Sequence, residues 1–144
     1  MKKASSASAR FTKHWLNKVI DGEPVLSRMQ DVVNLHQTQL KHFGGGPGVR
    51  DAGLIEVALA RPQSGYYEDL IEEAAALWES LTMNHGFIDG NKRVGFAATY
   101  VFLRANGVTI DASVERTLTF VIGALENGTF EKNALDAWLR GNTN

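Results

Sequence analysis

The sequence predicts an all-α protein, a compact bundle of about six helices with a small flap loop or hairpin. Apolar residues recur at the spacing of an amphipathic helix in one segment after another, and the strict alternation typical of half-buried strands is scarce. Short breaks containing Gly, Pro, Asn or Asp separate these segments, and such residues end helices and form turns. The pattern shows no internal repeat and no second domain.

The N-terminal part is expected to hold an extension and one well-marked helix. Residues 1–24 are interpreted as a partly flexible tail or extension in which residues 12–20 form a first helical segment, and residues 25–144 as one domain. The next helix begins at Ser27, which with Gln30 matches a capping box. It ends at the glycine-rich residues 44–48, because Gly accepts the left-handed backbone that closes a helix.

A short helix and a loop are predicted before the centre of the chain. Asp51 is a good N-cap for a helix that stops before Pro62. Residues 61–68 are expected to form an exposed loop or a small hairpin. A long helix is then predicted over residues 69–84, with acidic residues near its start, where the helix dipole favours them.

The second half of the chain is predicted to supply the core helix. Residues 91–105 are apolar on nearly all sides, which is typical of a buried central helix. Two further helices are predicted over residues 113–126 and 131–140.

Composition excludes several classes of protein. The chain has 144 residues, enough for one core, and its formal net charge is −1, with no Lys/Arg run longer than a pair. Direct nucleic-acid binding is therefore not expected. The absence of cysteine excludes disulfides and thiolate chemistry. No apolar run approaches a membrane span and the N-terminus lacks a secretory signal, so the prediction is a cytoplasmic protein with no membrane contact.

Candidate chemistry is concentrated in residues 85–93, His-Gly-Phe-Ile-Asp-Gly-Asn-Lys-Arg. A helix N-terminus presents unpaired N–H groups and a partial positive charge, so it is a natural seat for phosphate. Gly90 allows close backbone approach, and Lys92 and Arg93 would neutralise phosphate oxygens. Asp89 offers the hard oxygen that Mg²⁺ prefers, and the imidazole of His85 could take a proton from an attacking hydroxyl.

The two cations in the first helical turn conflict with the local rules of helix stability. They oppose the helix dipole at a cost of about 0.3–1 kcal/mol each, which a bound anion would remove. Phe87 is interpreted as a buried anchor of the loop, and Ile88 as a second one. The alternative is an ordinary turn, with an exposed or structural His, a turn-forming Asp and solvated cations.

Residues 85–93 resemble the Fic/Doc superfamily, and more closely its death-on-curing (Doc) toxin branch. The signature of that branch is His-x-Phe-x-Asp/Asn-Ala/Gly-Asn-Lys-Arg, and this sequence matches it at every specified position. Residues 44–51, 58–62 and 102–107 are also similar to the branch. The resemblance covers roughly residues 25–139.

The resemblance implies an all-α fold that transfers a group from a nucleoside triphosphate to a protein hydroxyl. Most Fic relatives transfer AMP and have Gly at the position of Lys92. In the Doc branch the lysine is associated with an inverted nucleotide that presents its γ-phosphate, which implies a kinase using ATP and Mg²⁺. The expected substrate class is a threonine or serine of a translation factor such as elongation factor Tu.

The resemblance also implies a role for each motif residue. His85 is the expected general base on the target hydroxyl, and Asp89 the expected Mg²⁺ ligand. The expected phosphate-binding residues, of which Arg93 would also stabilise charge on the transferred group, are Gly90, Asn91, Lys92 and Arg93. Residues 61–68 correspond to a flap that docks the target by strand addition, with Ser64, Gly65, Tyr66 and Tyr67 as the expected docking residues. Tyr66 and Tyr67 could equally serve in packing.

Two departures bear on activity and regulation. Gly86 stands where many relatives have Pro, so His85 is expected to be less preorganised. The inhibitory Ser/Thr-x-x-x-Glu-Gly/Asn motif of many Fic proteins is not visible, since the one Ser/Thr with Glu four residues on is Ser64, and Asp69 follows that Glu. Inhibition by a separate Phd-like antitoxin is therefore the hypothesis.

Two alternatives to the kinase stay open. One is an AMP transferase on the same fold, and the other is a non-catalytic member of a toxin–antitoxin pair.

Overall fold

The computed structural model describes residues 29–144, and within them the chain is all-α, as predicted. These residues form six α-helices, one 3-10 helix and no strand: α1 Met29–Phe43, α2 Ala52–Ala60, the 3-10 helix Arg61–Ser64, α3 Leu70–Met83, α4 Asn91–Ala105, α5 Val114–Glu126 and α6 Lys132–Gly141. The predicted segment 12–20, the cap at Ser27 and the boundary after residue 24 lie outside the described residues.

Capping residues explain where three of the helices begin. Asp51, Asp69 and Ser113 have extended backbones immediately before α2, α3 and α5. Each side chain accepts a hydrogen bond from the backbone N–H three residues further on, so it satisfies a donor that the first turn leaves unpaired. The sequence predicted helices beginning near all three positions, and for α2 it did so from Asp51 as an N-cap.

The core lies between α3 and α4, which pack side by side along their lengths. Trp78 of α3 is fully buried, and four rings from α4, α5, the loop after α5 and α6 surround it: Phe96, Phe120, Phe130 and Trp138. Gly95 of α4 lies directly against Thr82 of α3, with no space for a β-carbon between them. The prediction that residues 91–105 form the buried central helix is therefore confirmed.

Residues 61–68 contain no hairpin, contrary to one of the two expectations for them. Pro62 lies in the first turn of the 3-10 helix that directly continues α2, where its missing N–H costs no hydrogen bond. Gly65 ends this helix with a φ of 81°, in the left-handed region that favours glycine. Residues 65–69 then form bends that lead into α3.

Two ion pairs attach the C-terminal helix to α3. Lys132 Nζ lies 3.0 Å from Glu72 Oε2, and Arg140 Nη2 lies 3.0 Å from Asp69 Oδ1.

None of the helices between residues 29 and 144 has both the length and the apolarity needed to cross a bilayer.

Candidate functional site

Three segments of the chain build the candidate site. They are the loop of residues 44–50 after α1, the loop of residues 84–90 after α3, and the first turn of α4. The two loops cross at an isolated antiparallel bridge between Val49 and Phe87, where Ile88 N donates to Gly48 O at 3.1 Å. This crossing gives the predicted motif a fixed backbone.

His85 is exposed at the end of α3, and its imidazole makes no hydrogen bond with any other described residue. Its φ is +53°, the left-handed region that costs a residue with a β-carbon about 1–2 kcal/mol. The strain is held in place by Arg50, whose Nε donates to His85 O at 2.6 Å and whose Nη2 donates to Asn84 O at 3.2 Å. The general base of the predicted mechanism is thus accessible, and its backbone is constrained.

Gly86 is held by its neighbours despite its intrinsic freedom. Its carbonyl oxygen accepts from Arg50 N at 2.8 Å and Asp51 N at 3.0 Å. A β-carbon on Gly86 would clash with Ile55 Cγ1, so the backbone at this residue packs directly on α2. The expected loss of preorganisation at His85 is therefore offset, because tertiary contacts fix the loop where relatives use Pro.

Phe87 lies where an anchor of the loop should lie. It is 1% exposed, and its ring stacks on His36 with centroids 3.9 Å apart and planes 13° apart. Its backbone N donates to Asn91 Oδ1, and Asn91 Nδ2 donates to Phe87 O, both at 3.0 Å. The Asn91 side chain is therefore committed to the loop, so only its backbone N–H would be available to a phosphate. Ile88 is 61% exposed, so its interpretation as a second buried anchor was wrong.

Asp89 bridges the two loops at the start of α4. Its Oδ1 accepts from Gly90 N at 2.8 Å and its Oδ2 from Gly46 N at 3.0 Å. These hydrogen bonds, first that from Gly46, lower the pKa of the Asp89 carboxyl, so it is ionised at neutral pH. His36 Nε2 lies 2.7 Å from Asp89 O, and because a carbonyl can only accept, that nitrogen is the donor.

The two cationic side chains of the motif, Lys92 and Arg93, have different surroundings. Lys92 is exposed and has no hydrogen bond or ion pair within residues 29–144. Arg93 donates from Nη1 to Gly44 O at 3.0 Å, and its guanidinium lies 5.6 Å from the centre of the Phe43 ring. Gly90, with a φ of 80°, turns the chain into the helix that carries both. A phosphate at this helix start would meet Lys92 directly, whereas Arg93 would exchange its carbonyl partner for the anion.

Asp89 is the side chain of the candidate site that could bind a metal ion. No group of three or more His, Cys, Asp or Glu side chains that could hold a metal occurs in the described part of the chain. Asp89 fits Mg²⁺ by its charge and exposure, but the rest of the coordination shell would have to come from phosphate oxygens and water. Such a site would bind the ion together with a nucleotide.

The expected docking residues do not share one environment. Tyr66 is 83% exposed, Gly65 is partly buried, and the exposed Ser64 accepts through Oγ from Tyr66 N at 3.2 Å. Tyr67 is 7% exposed, and its hydroxyl accepts from Arg61 Nε at 2.6 Å. Tyr67 thus packs inside the protein, in line with the packing alternative, and Tyr66 is the aromatic side chain that this segment presents to solvent.

Sequence reasoning missed three residues of the site. His36, Gly46 and Arg50 contact the motif from 35 to 53 positions away along the chain. His36 carried a usable signal, because Val32, His36 and Leu40 are four residues apart on the apolar stripe of α1. A polar residue on such a stripe needs a buried partner. Gly46 and Arg50 lie in the segment 44–51 that resembles the Doc branch, but nothing in that segment indicated a contact with the motif.

Comparison with known proteins finds a family model and two relatives that this chain is similar to. A model of the Fic/DOC family matches residues 26–103. A protein named Toxin Doc from Mycolicibacterium smegmatis is 46% identical over 78 residues, which cover 51% of this chain and 60% of the relative. Protein kinase doc from Escherichia phage P1 is 34% identical over 90 residues, which cover 60% of this chain and 71% of the relative. The first alignment thus spans less than two thirds of its relative.

Proposed function

Because this chain belongs to the Fic/DOC family, we propose that it is a Doc-type toxin kinase that transfers the γ-phosphate of ATP to a Thr or Ser hydroxyl of a protein. The expected target is a translation factor of the elongation factor Tu class. The observation that carries the proposal is Lys92, which lies in the first turn of α4, is exposed, and has no hydrogen bond or ion pair among the described residues. AMP-transferring relatives have glycine there, so they lack this cation.

The start of α4 would hold the triphosphate. Its first backbone N–H groups and Lys92 supply donors and positive charge, and Gly90 leaves room for the phosphates to approach. Asp89 would bind Mg²⁺, which neutralises charge on the phosphates when it is bound. Arg93 lies in the same turn, and its exposed guanidinium could leave Gly44 O to bind the transferred group.

The transfer would be a single displacement. The target hydroxyl oxygen attacks the γ-phosphorus, the bond from that phosphorus to the β–γ bridging oxygen breaks, and ADP leaves. His85 would accept the hydroxyl proton through its imidazole, which is exposed and makes no hydrogen bond with residues 29–144. The flap of residues 61–68, with its exposed Tyr66, would hold the target segment next to His85.

The proposed regulator is a separate Phd-like antitoxin. No inhibitory Ser/Thr-x-x-x-Glu-Gly/Asn motif occurs in it, so an active enzyme would need inhibition in trans. One of the similar proteins is named as a toxin, which supports the same expectation.

The test is the intact mass of elongation factor Tu after incubation with this protein, ATP and Mg²⁺. A gain of one phosphate, lost with His85→Ala and kept with the exposed control His42→Ala, is the expected result. A gain of one AMP would favour the AMP transferase. No gain on this target or on other proteins of a cell extract would favour the non-catalytic alternative.

A further inference from the structure

Arg50 donates hydrogen bonds to three consecutive carbonyl oxygens around His85. Its guanidinium binds the oxygens of Asn84 and His85 at 3.2 and 2.6 Å, and its backbone N–H binds that of Gly86 at 2.8 Å. From this geometry we infer that Arg50 is a positioning residue that sets the direction of the His85 imidazole. The inference rests on the proposed function, in which His85 is the base.

The peptide units on either side of His85 determine where its side chain points. His85 has the left-handed φ of +53°, which residues with a β-carbon leave readily unless their surroundings hold them. Hydrogen bonds on the carbonyls before, at and after this residue fix both adjoining peptide planes. Arg50 is therefore the common element that keeps the strained conformation.

The chemistry of arginine suits this position. The last carbonyls of a helix lack partners and carry a partial negative charge, and Asn84 and His85 follow the end of α3. A planar guanidinium presents two donors in a rigid fork, which a lysine cannot reproduce. Arg50 is exposed, and it comes from a loop 35 residues away in the chain, so its contacts serve the local geometry of the motif more than the core.

Steady-state kinetics of three variants test the inference. Arg50→Ala should lower kcat by about 10- to 100-fold with the KM for ATP unchanged, because a displaced base slows the chemical step and leaves nucleotide binding intact. Arg50→Lys should fall between Arg50→Ala and the unchanged protein. Arg104→Ala, which removes an exposed arginine on the distal part of α4, should have no effect. Denaturant unfolding would verify that all the variants are folded under assay conditions.

Two kinetic outcomes would overturn the inference. A raised KM for ATP with unchanged kcat would make Arg50 a nucleotide contact. An unchanged kcat in Arg50→Ala, with an active parent protein, would remove the positioning role and leave the proposed function standing.

An NMR measurement keeps the inference testable if the parent protein transfers nothing. Arg50→Ala should shift or broaden the backbone amide signals of His85 and Gly86, and Arg104→Ala should leave them in place. Unchanged signals in Arg50→Ala would refute the positioning role whatever the activity. Altered signals in an inactive parent would instead place the failure in the proposed function.

Discussion

Asn91 and Phe87 are joined by two hydrogen bonds of 3.0 Å. The side-chain amide of Asn91 accepts from the backbone N–H of Phe87 and donates to its C=O. Both residues are buried, so neither backbone group could turn to water if the amide were removed. Asn91 thereby closes the loop that carries Asp89 onto the first turn of α4.

Asn91→Ala should lower the free energy of unfolding by about 1–3 kcal/mol, because it leaves a buried N–H and a buried C=O of Phe87 without partners. Urea denaturation measures this loss. Asn133→Ala is the matched control, since Asn133 is exposed on α6 and its side chain makes no hydrogen bond among residues 29–144. Equal stability of the two variants would mean that water replaces the amide.

Gly86→Ala should destabilise the protein by about 1–3 kcal/mol, because the new methyl group would overlap the Ile55 side chain and force α2 or the loop to move. Gly123→Ala is the control with the opposite sign. Gly123 lies within α5 with open space around its α-carbon, so alanine should stabilise that helix by about 0.5–1 kcal/mol. Thermal unfolding followed by circular dichroism would give both values, and a neutral Gly86→Ala would contradict the packing described.

His36→Phe should keep the ring stack on Phe87 and remove the hydrogen bond to Asp89 O. The expected loss of stability is about 0.5–1.5 kcal/mol, the usual net value of one hydrogen bond. Affinity for Mg²⁺-ATP should also fall, because the backbone of Asp89 is no longer held, and calorimetric titration would measure this. His42→Phe, on the exposed end of the same helix, should change neither quantity.

The Glu72–Lys132 pair should give a pH-dependent contribution to stability. The hydrogen bond from Lys132 is the largest cause that lowers the pKa of the Glu72 carboxyl below its ordinary value of 4.5. The contribution is therefore present above pH 4.5 and is lost as the pH falls through the lowered pKa of the folded state.

Lys132→Met tests this contribution. It should lower the free energy of unfolding by about 1 kcal/mol at neutral pH, with a smaller deficit below pH 4.5. Lys41→Met, at an exposed lysine with no partner among the described residues, should show no such trend. Urea curves at several pH values would measure the deficit, and a deficit that stays constant with pH would exclude the carboxylate as its source.

Much of the helical pattern could be predicted because its signals are local. Asp51 and Ser113 mark their helices by capping chemistry, which needs only the next three residues. The 3-10 helix was not predicted, because Pro62 is equally compatible with the end of one helix and the first turn of another.

The site was less predictable because its geometry depends on tertiary contacts. The motif identified His85 and Asp89 as candidates, but not that Arg50 and Gly46 hold them. The charge of Arg93 was evident from the sequence, but the orientation of its side chain was not. The guanidinium is oriented by its hydrogen bond to Gly44 O, 49 positions away in the chain. Ile88 was predicted to be a second buried anchor, yet its side chain lies against Gly48 at the surface and is 61% exposed.

The crossing of residues 44–51 with residues 84–90 has a consequence for protein engineering. The nine-residue motif is not a self-sufficient cassette, because Gly46, Arg50 and His36 supply the bonds that shape it. Transplanting the motif into another helical hairpin should reproduce its amino-acid sequence but not its backbone conformation. A functional graft would have to carry α1 and the glycine-rich loop as well, and insertions in that loop should be poorly tolerated.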